Sequence, residues 1–528
     1  MTKRAALFFI WTGAWFVSLQ AAERLSLPIP SDEVWWAGVI DDGWQMPFAV
    51  GSRYHHDFLG DNKWNQIQPL LISNRGRYIW SEEPFAFEFK DDTLYLQDNG
   101  KLRIGKAGET LREAYLFAAE TFFPSSGKMP DEILFQKPQF NTWIELTYNQ
   151  NQQDILAYAR AAVANGFSPG AFMIDASWQQ SYGEWLFRAD RFPDPKAMIE
   201  ELHALGFKVM LWVCPFVTAD SPTFRMLRDQ GALIRNLSDD KPAVIEWWDG
   251  FSALLDFTHP QADKWFREQL QRLASEYGID GFKFDAGDSP YYLGRLHFHH
   301  QVTPNRQTEL YAAIGLQFSL NEYRACWKMG GRPLAQRLHD KNHSWQDLRQ
   351  LIPNTFAQAL SGYAFSCPDM IGGGEIQSFL HLSEIDQELV VRSAQCQALM
   401  PMMQFSAAPW RILSAENLQL CKAAADLHLR FADRILQLAR HAAETGEPIV
   451  RPLEYVFPHM GYERITDQFM LGDDILVAPV LEKGAHSRNI IFPPGVWQDE
   501  NGNLYRGHSQ RKIDSPLARL PWFIKTRK

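Results

Sequence analysis

The stretch Gly281-Phe282-Lys283-Phe284-Asp285-Ala286-Gly287-Asp288 decides the fold of this 528-residue chain. It is a short apolar run bounded by glycine, which predicts a buried strand, and it ends in two carboxylates. Lys283 lies two residues before Asp285, so both side chains are expected on the same side of the strand. The ammonium group is then expected to keep the pKa of Asp285 low. A structural ion pair explains these eight residues as well as a functional site does.

Around this stretch, strands and helices alternate over about 300 residues, which indicates a parallel α/β fold. The pattern predicts strands over 140–146, 171–175 and 208–214, and helices over 154–164, 195–205 and 260–277. The length and repetition favour an eight-stranded (β/α) barrel over an open sheet. No G-x-G-x-x-G follows the first strand, which is evidence against a dinucleotide-binding fold.

Strand-rich segments flank the predicted barrel. Residues 23–137 contain short apolar runs between turn residues, which predicts a β-sandwich. The barrel is assigned to 138–440, and renewed strand patterns predict a C-terminal β domain over 441–528. A basic start, an apolar run over 5–19 and small residues predict a signal peptide over 1–22, and therefore an exported, periplasmic or secreted protein. The apolar run is too short to favour stable insertion in a membrane.

Composition limits the classes of partner. A net charge of −10 and the lack of a long basic run are evidence against a general nucleic-acid binder. The 19 tryptophans supply flat apolar rings that suit contacts with sugar faces. The five cysteines form no C-x-x-C pair, so we predict no zinc site, and nothing else predicts a cofactor. Composition leaves the oligomeric state open.

Acidic residues follow several predicted strands, at the end of a barrel where active sites lie. They are Asp175, Asp285, Asp288, Asp340 and Asp369, with Arg324, Trp248 and Trp327 in neighbouring loops. A run with His297, His299 and His300 lies in a polar segment, where a solvated loop is favoured over a metal site. No G-x-S-x-G supports a Ser-His-Asp triad. Carboxylates grouped without a metal indicate acid/base or glycosyl chemistry.

Several segments together resemble glycoside hydrolase family 31, and the similarity extends from Trp35 to Phe523. The segments are Ile174-Asp175-Ala176-Ser177-Trp178, Trp248-Asp249-Gly250, Phe282-Lys283-Phe284-Asp285, Asp340-Lys341-Asn342-His343-Ser344-Trp345 and Asp369-Met370-Ile371-Gly372-Gly373. Arg324 stands sixteen residues before Asp340, much as the family's substrate arginine stands before its acid/base. The resemblance implies a retaining, exo-acting α-glycosidase with the domain order sandwich, barrel, C-terminal β domain.

The resemblance also implies roles for individual residues. Asp285 is expected to be the nucleophile and Asp340 the acid/base. Asp175 and Asp369 are expected to accept hydrogen bonds from sugar hydroxyls. Arg324 is expected to donate to a hydroxyl or to orient an acid, and Trp248 is expected to pack on the sugar ring.

The proposed pair of carboxyl groups needs one lowered and one raised pKa. We expect Lys283 to lower the pKa of Asp285. An apolar setting near Trp345 and Trp327 is expected to raise the pKa of Asp340.

Departures from the family pattern bear on the sugar. The family's α-glucosidases read W-x-D-M-N-E where this chain reads K-F-D-A-G-D, and Arg411 is followed by Ile412-Leu413 without the usual histidine. The K-F-D-A-G-D form, with Cys326-Trp327 after Arg324, is similar to a branch that includes α-galactosidases. We therefore predict that Trp327 lies at the pocket rim and favours the axial 4-hydroxyl of galactose.

Alternative sugars remain open, namely α-glucosides, α-xylosides, N-acetylated sugars and sulfoquinovosides. A glycan-binding protein with a decayed site is a further alternative. The presence of both Asp285 and Asp340 is evidence against decay.

Overall fold

A computed structural model describes residues 24–97, 100–380 and 384–526. The predicted signal peptide lies outside these residues. Within the described ranges, no helix has the length and apolar character needed to cross a membrane. All five cysteines are buried and unpaired, so the folded chain is held together by its core and by polar contacts.

Eight parallel strands form the central sheet. In chain order they are β1 (Gln139–Asn141), β2 (Ala171–Ile174), β3 (Lys208–Val213), β4 (Gly281–Phe284), β5 (Leu320–Tyr323), β6 (Gln336–Arg337), β7 (Ser366–Cys367) and β8 (Gln404–Phe405). They pair in the order β7-β6-β5-β4-β3-β2-β1-β8. An isolated bridge between Met370 and Gln404 links the two edges, so the barrel is nearly closed. The predicted fold class is confirmed.

Helices follow most of the strands. They are α1 (Gln152–Ala164), α2 (Pro195–Ala204), α3 (Pro260–Tyr277), α4 (Pro304–Ile314), α5 (Trp345–Ala359), α6 (Gln387–Ala398) and α7 (Ala415–Thr445). Proline occupies the first turn of α2, α3 and α4, where its missing N–H has no helical partner to lose. Gly278 ends α3 in the left-handed conformation at φ +79°, and β4 begins three residues later. Helix α7 continues five residues past the predicted domain boundary at 440.

The N-terminal domain contains two sheets that share one core. One sheet is formed by Arg24–Pro28, Tyr54–Asp57, Ala86–Lys90 and Thr93–Gln97, and the other by Trp35–Val39, Gln66–Ser73, Arg77–Trp80 and Arg103–Lys106. This pairing of sheets matches the predicted sandwich. A helix, Leu111–Phe122, then leads towards the barrel.

The C-terminal β domain consists of a larger and a smaller antiparallel sheet. The six-stranded sheet contains Val450–Arg451, Phe469–Leu471, Ile475–Val477, Val496–Asp499, Leu504–Arg506 and Trp522–Lys525, and the two-stranded sheet contains Ser487–Phe492 and Ser509–Asp514. Its core includes Trp497 and Phe523.

A short strand from the barrel domain joins the N-terminal sheet. Cys326–Trp327, which lies between β5 and β6, pairs in parallel with Gln66–Ser73. The Trp327 side chain is almost fully buried, and its ring centre lies 6.1 Å from that of Phe58. The prediction that Trp327 lies at the pocket rim is therefore wrong. The chain leaves the barrel directly after β5 and joins the N-terminal sheet. The pattern of residues around Trp327 does not predict this change of sheet.

Replacing Trp327 by Ala is expected to lower the free energy of unfolding by about 3–5 kcal/mol, because it opens a cavity in the N-terminal core. The ratio of galactoside to glucoside kcat/KM, which the sequence analysis links to this ring, should stay unchanged, since the ring is buried against Phe58 in the N-terminal core. Denaturant unfolding and assays with both aryl glycosides measure the two quantities. Phe58→Ala is the control, because it removes a ring from the same core. A changed sugar preference in folded Trp327→Ala protein would contradict this placement.

Candidate active site

A cavity of about 760 Å³ opens at the carboxyl ends of the barrel strands. Six of the eight predicted site residues line it, namely Asp175, Trp248, Lys283, Asp285, Arg324 and Asp340. Trp327 and Asp369 do not. One space is therefore shared by residues from five parts of the barrel, as expected for a (β/α) barrel. These parts are the ends of β2 and β4, the loops after β5 and β6, and the connection between β3 and β4.

Lys283 lies at the floor of this cavity and bridges two carboxylates. Its Nζ is 2.8 Å from Asp175 Oδ2, at the end of β2, and 3.9 Å from Asp285 Oδ2. Burial lowers the pKa of Lys283, but the charge of Asp175 and then that of Asp285 outweigh burial and raise it. Lys283 and Asp285 thus face the same side, as the strand period requires, but Asp175 is the closer partner.

Asp285 accepts hydrogen bonds from three neighbours. Trp212 Nε1 donates to Oδ2 at 2.9 Å, while Arg324 Nε and the Ala286 backbone N–H donate to Oδ1 at 3.0 and 2.9 Å. Burial raises the pKa of Asp285, but the charges of Arg324 and then Lys283 hold it well below its usual range. The arginine contributes more than the lysine that the sequence analysis singled out. A fixed, ionised carboxylate of this kind suits a nucleophile.

Arg324 is itself fixed by partners on two sides. Its guanidinium contacts both oxygens of Asp288, at 2.9 and 2.5 Å, and donates to the Trp64 carbonyl at 2.6 Å. Asn62 Nδ2 donates to Asp288 at 2.9 Å. Of the two roles expected for Arg324, this geometry fits orientation of an acid.

The ring of Trp248 packs against the guanidinium group of Arg324. Its ring centre is 5.4 Å from the guanidinium carbon, within the range of a cation–π contact. The side chain remains 47% exposed, so much of its surface is free to pack against a sugar.

Asp369 lies behind Asp340 rather than in the cavity lining. Arg337, on β6, donates through Nη1 to Asp340 Oδ1 at 2.5 Å and to Asp369 Oδ1 at 3.0 Å. The backbone N–H groups of Lys341 and Gly374 donate to Asp369 Oδ2 at 2.8 and 3.1 Å. Asp369 is 1% exposed and adopts φ +97°, which is uncommon for a residue with a side chain. Asp369 therefore contacts Arg337 and two backbone N–H groups, and it does not line the cavity in which its contact with sugar hydroxyls was expected.

The pKa of Asp340 differs from the expectation, because the raised pKa belongs to Asp369 instead. Burial, reinforced by the charge of Asp340 and opposed by Arg337, raises the pKa of Asp369 to about 7. Burial also raises the pKa of Asp340, but Arg337 and His339 outweigh it and lower this pKa. The predicted apolar setting is absent, since Trp345 donates to Asp386 and does not line the cavity.

Two carboxylates that share one guanidinium nitrogen titrate as a pair. The Asp340–Asp369 pair therefore keeps one proton up to about neutral pH. The raised pKa belongs to Asp369, so the proton rests mainly on Asp369, and a general acid at Asp340 requires the pair to share it.

Four residues that contact the candidate site residues lay outside the predicted set. Arg337 carries a recognisable signal, because a cation inside a short buried strand needs acidic partners. Trp212 ends the apolar strand β3, where its ring looks like ordinary core. Asn62 and Trp64 belong to the N-terminal domain, about 260 residues away from the arginine that they help to fix. No local pattern connects them with the barrel.

Replacing Arg337 by Met and Asp369 by Asn should move the alkaline limb of the kcat/KM pH profile in opposite directions. Activity falls as pH rises through the pKa of the acid. Loss of the Arg337 cation raises the pKa of Asp340, whereas loss of the Asp369 charge lowers it, each by about one unit. Initial rates on an aryl α-glycoside from pH 4 to pH 9 measure the limb.

Arg411→Met is the matched control for this experiment, since Arg411 forms a surface pair with Glu145 outside the cavity. Its profile should match that of the wild type. The coupling of Asp340 and Asp369 would be contradicted if the pH at which kcat/KM falls on the alkaline side did not change. A shift in the same direction in both variants would also contradict it.

The fold and cavity define a (β/α) barrel with grouped carboxylates at its strand ends, and comparison with known proteins gives the family. The model of the family 31 glycosyl hydrolase TIM-barrel domain matches residues 133–438. The model of the family's C-terminal domain matches residues 446–527. The chain belongs to glycosyl hydrolase family 31.

The chain is also similar to individual curated proteins. The chain is 33% identical to the myogenesis-regulating glycosidase of Mus musculus over 75% of this chain and 57% of that protein. It is 28% identical to the SITS-binding protein of Tetronarce californica over 60% of this chain and 48% of that protein. The chain thus spans about half the length of these curated relatives.

A solved structure supports the fold over almost the whole chain. It is a family 31 dextranase from Flavobacterium johnsoniae complexed with glucose, with a TM-score of 0.83 and 19% identity. The match covers 95% of this chain and 66% of the dextranase chain.

Proposed function

We propose that this protein is a retaining, exo-acting α-glycosidase that releases a terminal neutral hexose. The observation that carries the proposal is the arrangement of Asp285 and Asp340 in one cavity. Asp285 is ionised and fixed by three donors, and Asp340 belongs to a pair that keeps one proton. Lys283 and Asp175 close the floor, which suits binding of a chain end.

The reaction has two steps. In the first, Asp285 attacks the anomeric carbon and forms a glycosyl ester, while Asp340 gives its proton to the departing glycosidic oxygen. In the second, Asp340 takes a proton from water, and the resulting hydroxide attacks the anomeric carbon and releases Asp285 as a carboxylate. Two inversions preserve the α configuration.

Galactose is the first candidate for the released sugar, and it rests on the K-F-D-A-G-D form around Asp285. Glucose is the second candidate, because the burial of Trp327 removes the side chain that was expected to select the 4-hydroxyl. None of the three relatives named above carries galactose in its name.

The charges of the floor favour a neutral sugar over sulfoquinovose. Lys283 is paired with Asp175, and Arg324 is paired with Asp285 and Asp288. An anionic sulfonate would have to displace one of these carboxylates to gain a cation. Such an exchange leaves a buried carboxylate unpaired, at a cost of several kcal/mol.

A non-catalytic binding protein is the competing class, and the relative from Tetronarce californica is named for binding. The geometry around Asp285 favours catalysis. A binding site has no need for three donors and two cations that keep a buried carboxylate reactive towards the anomeric carbon.

Asp285→Asn should lower kcat/KM on an aryl α-glycoside by about 10⁴-fold or more, because the nucleophile is removed. Asp340→Asn should lower it by roughly 10²- to 10⁴-fold on substrates with poor leaving groups, and less on activated ones. A panel of aryl α-galactoside, α-glucoside, α-xyloside and N-acetyl-α-galactosaminide identifies the sugar. Asp263→Asn on α3, whose carboxylate pairs with Arg267, is the control and should keep wild-type rates.

Proton NMR of the first product tests the stereochemistry. The α anomer should appear first and then mutarotate. Early formation of the β anomer would contradict retention, and wild-type protein inactive on the whole panel would contradict the proposed function.

A further inference from the structure

The outer part of the cavity combines acidic and aromatic side chains that the catalytic steps leave unused. We call it the mouth, and it is formed by Glu246, Asp249, Glu375, Trp143, Tyr148 and Trp248. Tyr148 and Trp248 are each about half exposed, at 48% and 47%. The floor residues Asp175 and Lys283, by contrast, are buried. The mouth is therefore where the leaving group of a chain-end substrate has to lie.

The acidic groups face this space from opposite walls. Glu246 lies on the strand Val244–Trp247, which forms a hairpin with Gly250–Leu254 in the connection between β3 and β4. Glu375 follows the turn after β7, where the Gly374 carbonyl accepts a hydrogen bond from Trp143 Nε1 at 2.9 Å. These connections follow β3 and β7, which lie four places apart in the order of the eight strands.

The mouth carries negative charge without a compensating cation. Asp249 accepts from the Tyr182 hydroxyl, and Glu375 accepts from the Gln377 N–H at 3.0 Å. Between residues that the structure describes, no ion pair involves Glu246, Asp249 or Glu375. The lysine and the arginine of the lining, Lys283 and Arg324, are already held by floor carboxylates.

We propose that the mouth is an aglycone subsite that accepts neutral or cationic leaving groups and rejects anionic ones. This inference rests on the proposed function, because it concerns the leaving group of the same site. Uncompensated carboxylates repel an anionic aglycone through a partly aqueous medium. The same carboxylates attract an ammonium group, and the faces of Trp248 and Tyr148 add a cation–π attraction.

The test compares three aryl α-glycosides that share the sugar and carry a carboxymethyl, a methyl or an aminoethyl group at the meta position of the phenol. The wild-type kcat/KM should rise in that order, with roughly a five- to twentyfold difference between the charged substrates at low salt. The difference should largely disappear at 1 M salt, where the Debye length is about 3 Å.

The double variant Glu246→Gln/Glu375→Gln isolates the contribution of the mouth. The ratio of its charge preference to that of the wild type cancels intrinsic differences between the three phenols as leaving groups. We expect the preference of the double variant for the aminoethyl over the carboxymethyl substrate to be much smaller than that of the wild type. Glu200→Gln is the matched control, since it removes one exposed carboxylate from α2 outside the cavity and should keep the wild-type preference.

Each outcome decides one of the two proposals. Equal rates for all three substrates, or a charge preference that survives the double substitution or high salt, would overturn the inference alone. Absence of turnover for all three substrates would overturn the proposed function, and the inference with it.

Discussion

Three buried cations hold together six carboxylates that would otherwise repel one another inside the barrel. Lys283 joins the ends of β2 and β4, and Arg324 joins the loops after β4 and β5. Arg337 joins Glu322 on β5 to the acids that follow β6 and β7. An unpaired buried carboxylate costs several kcal/mol, so each cation stabilises the position of the strands that carry its partners. The alignment of the strand ends and the geometry of the site therefore depend on the same contacts.

The same network separates the carboxyl groups by proton affinity. Asp285 has strong donors on both oxygens, so its pKa stays low despite burial. Asp340 and Asp369 compete for one nitrogen of Arg337, so burial and mutual repulsion leave one proton on the pair. The proposed nucleophile and the proposed acid/base are thus distinguished by how cations are divided among them. The setting of Asp340 is charged rather than apolar, because Arg337 contacts its carboxylate.

Strand periodicity predicts the part of the candidate site that lies at the ends of barrel strands. Asp175, Lys283 and Asp285 lie at strand ends or alternate along one strand, so their convergence follows from a parallel barrel. Strand periodicity does not predict the part where the chain changes sheet or where one buried side chain acts through another. Trp327 follows a barrel strand but pairs with a distant sheet. Asp369 follows β7, yet a positive φ and two backbone donors turn it towards Arg337. Such contacts depend on residues far apart along the chain.

The short strand Cys326–Trp327 begins two residues after Arg324 and is hydrogen-bonded into the N-terminal sheet. That sheet also leads to Trp64 and Asn62, which hold Arg324 and its partner Asp288. The barrel is consequently not an interchangeable module. A recombination event that grafted another sandwich onto it would disturb Arg324, which keeps Asp285, the proposed nucleophile, charged. We therefore expect both domains to diverge together, because residues of the sandwich hold an arginine of the proposed site in the barrel.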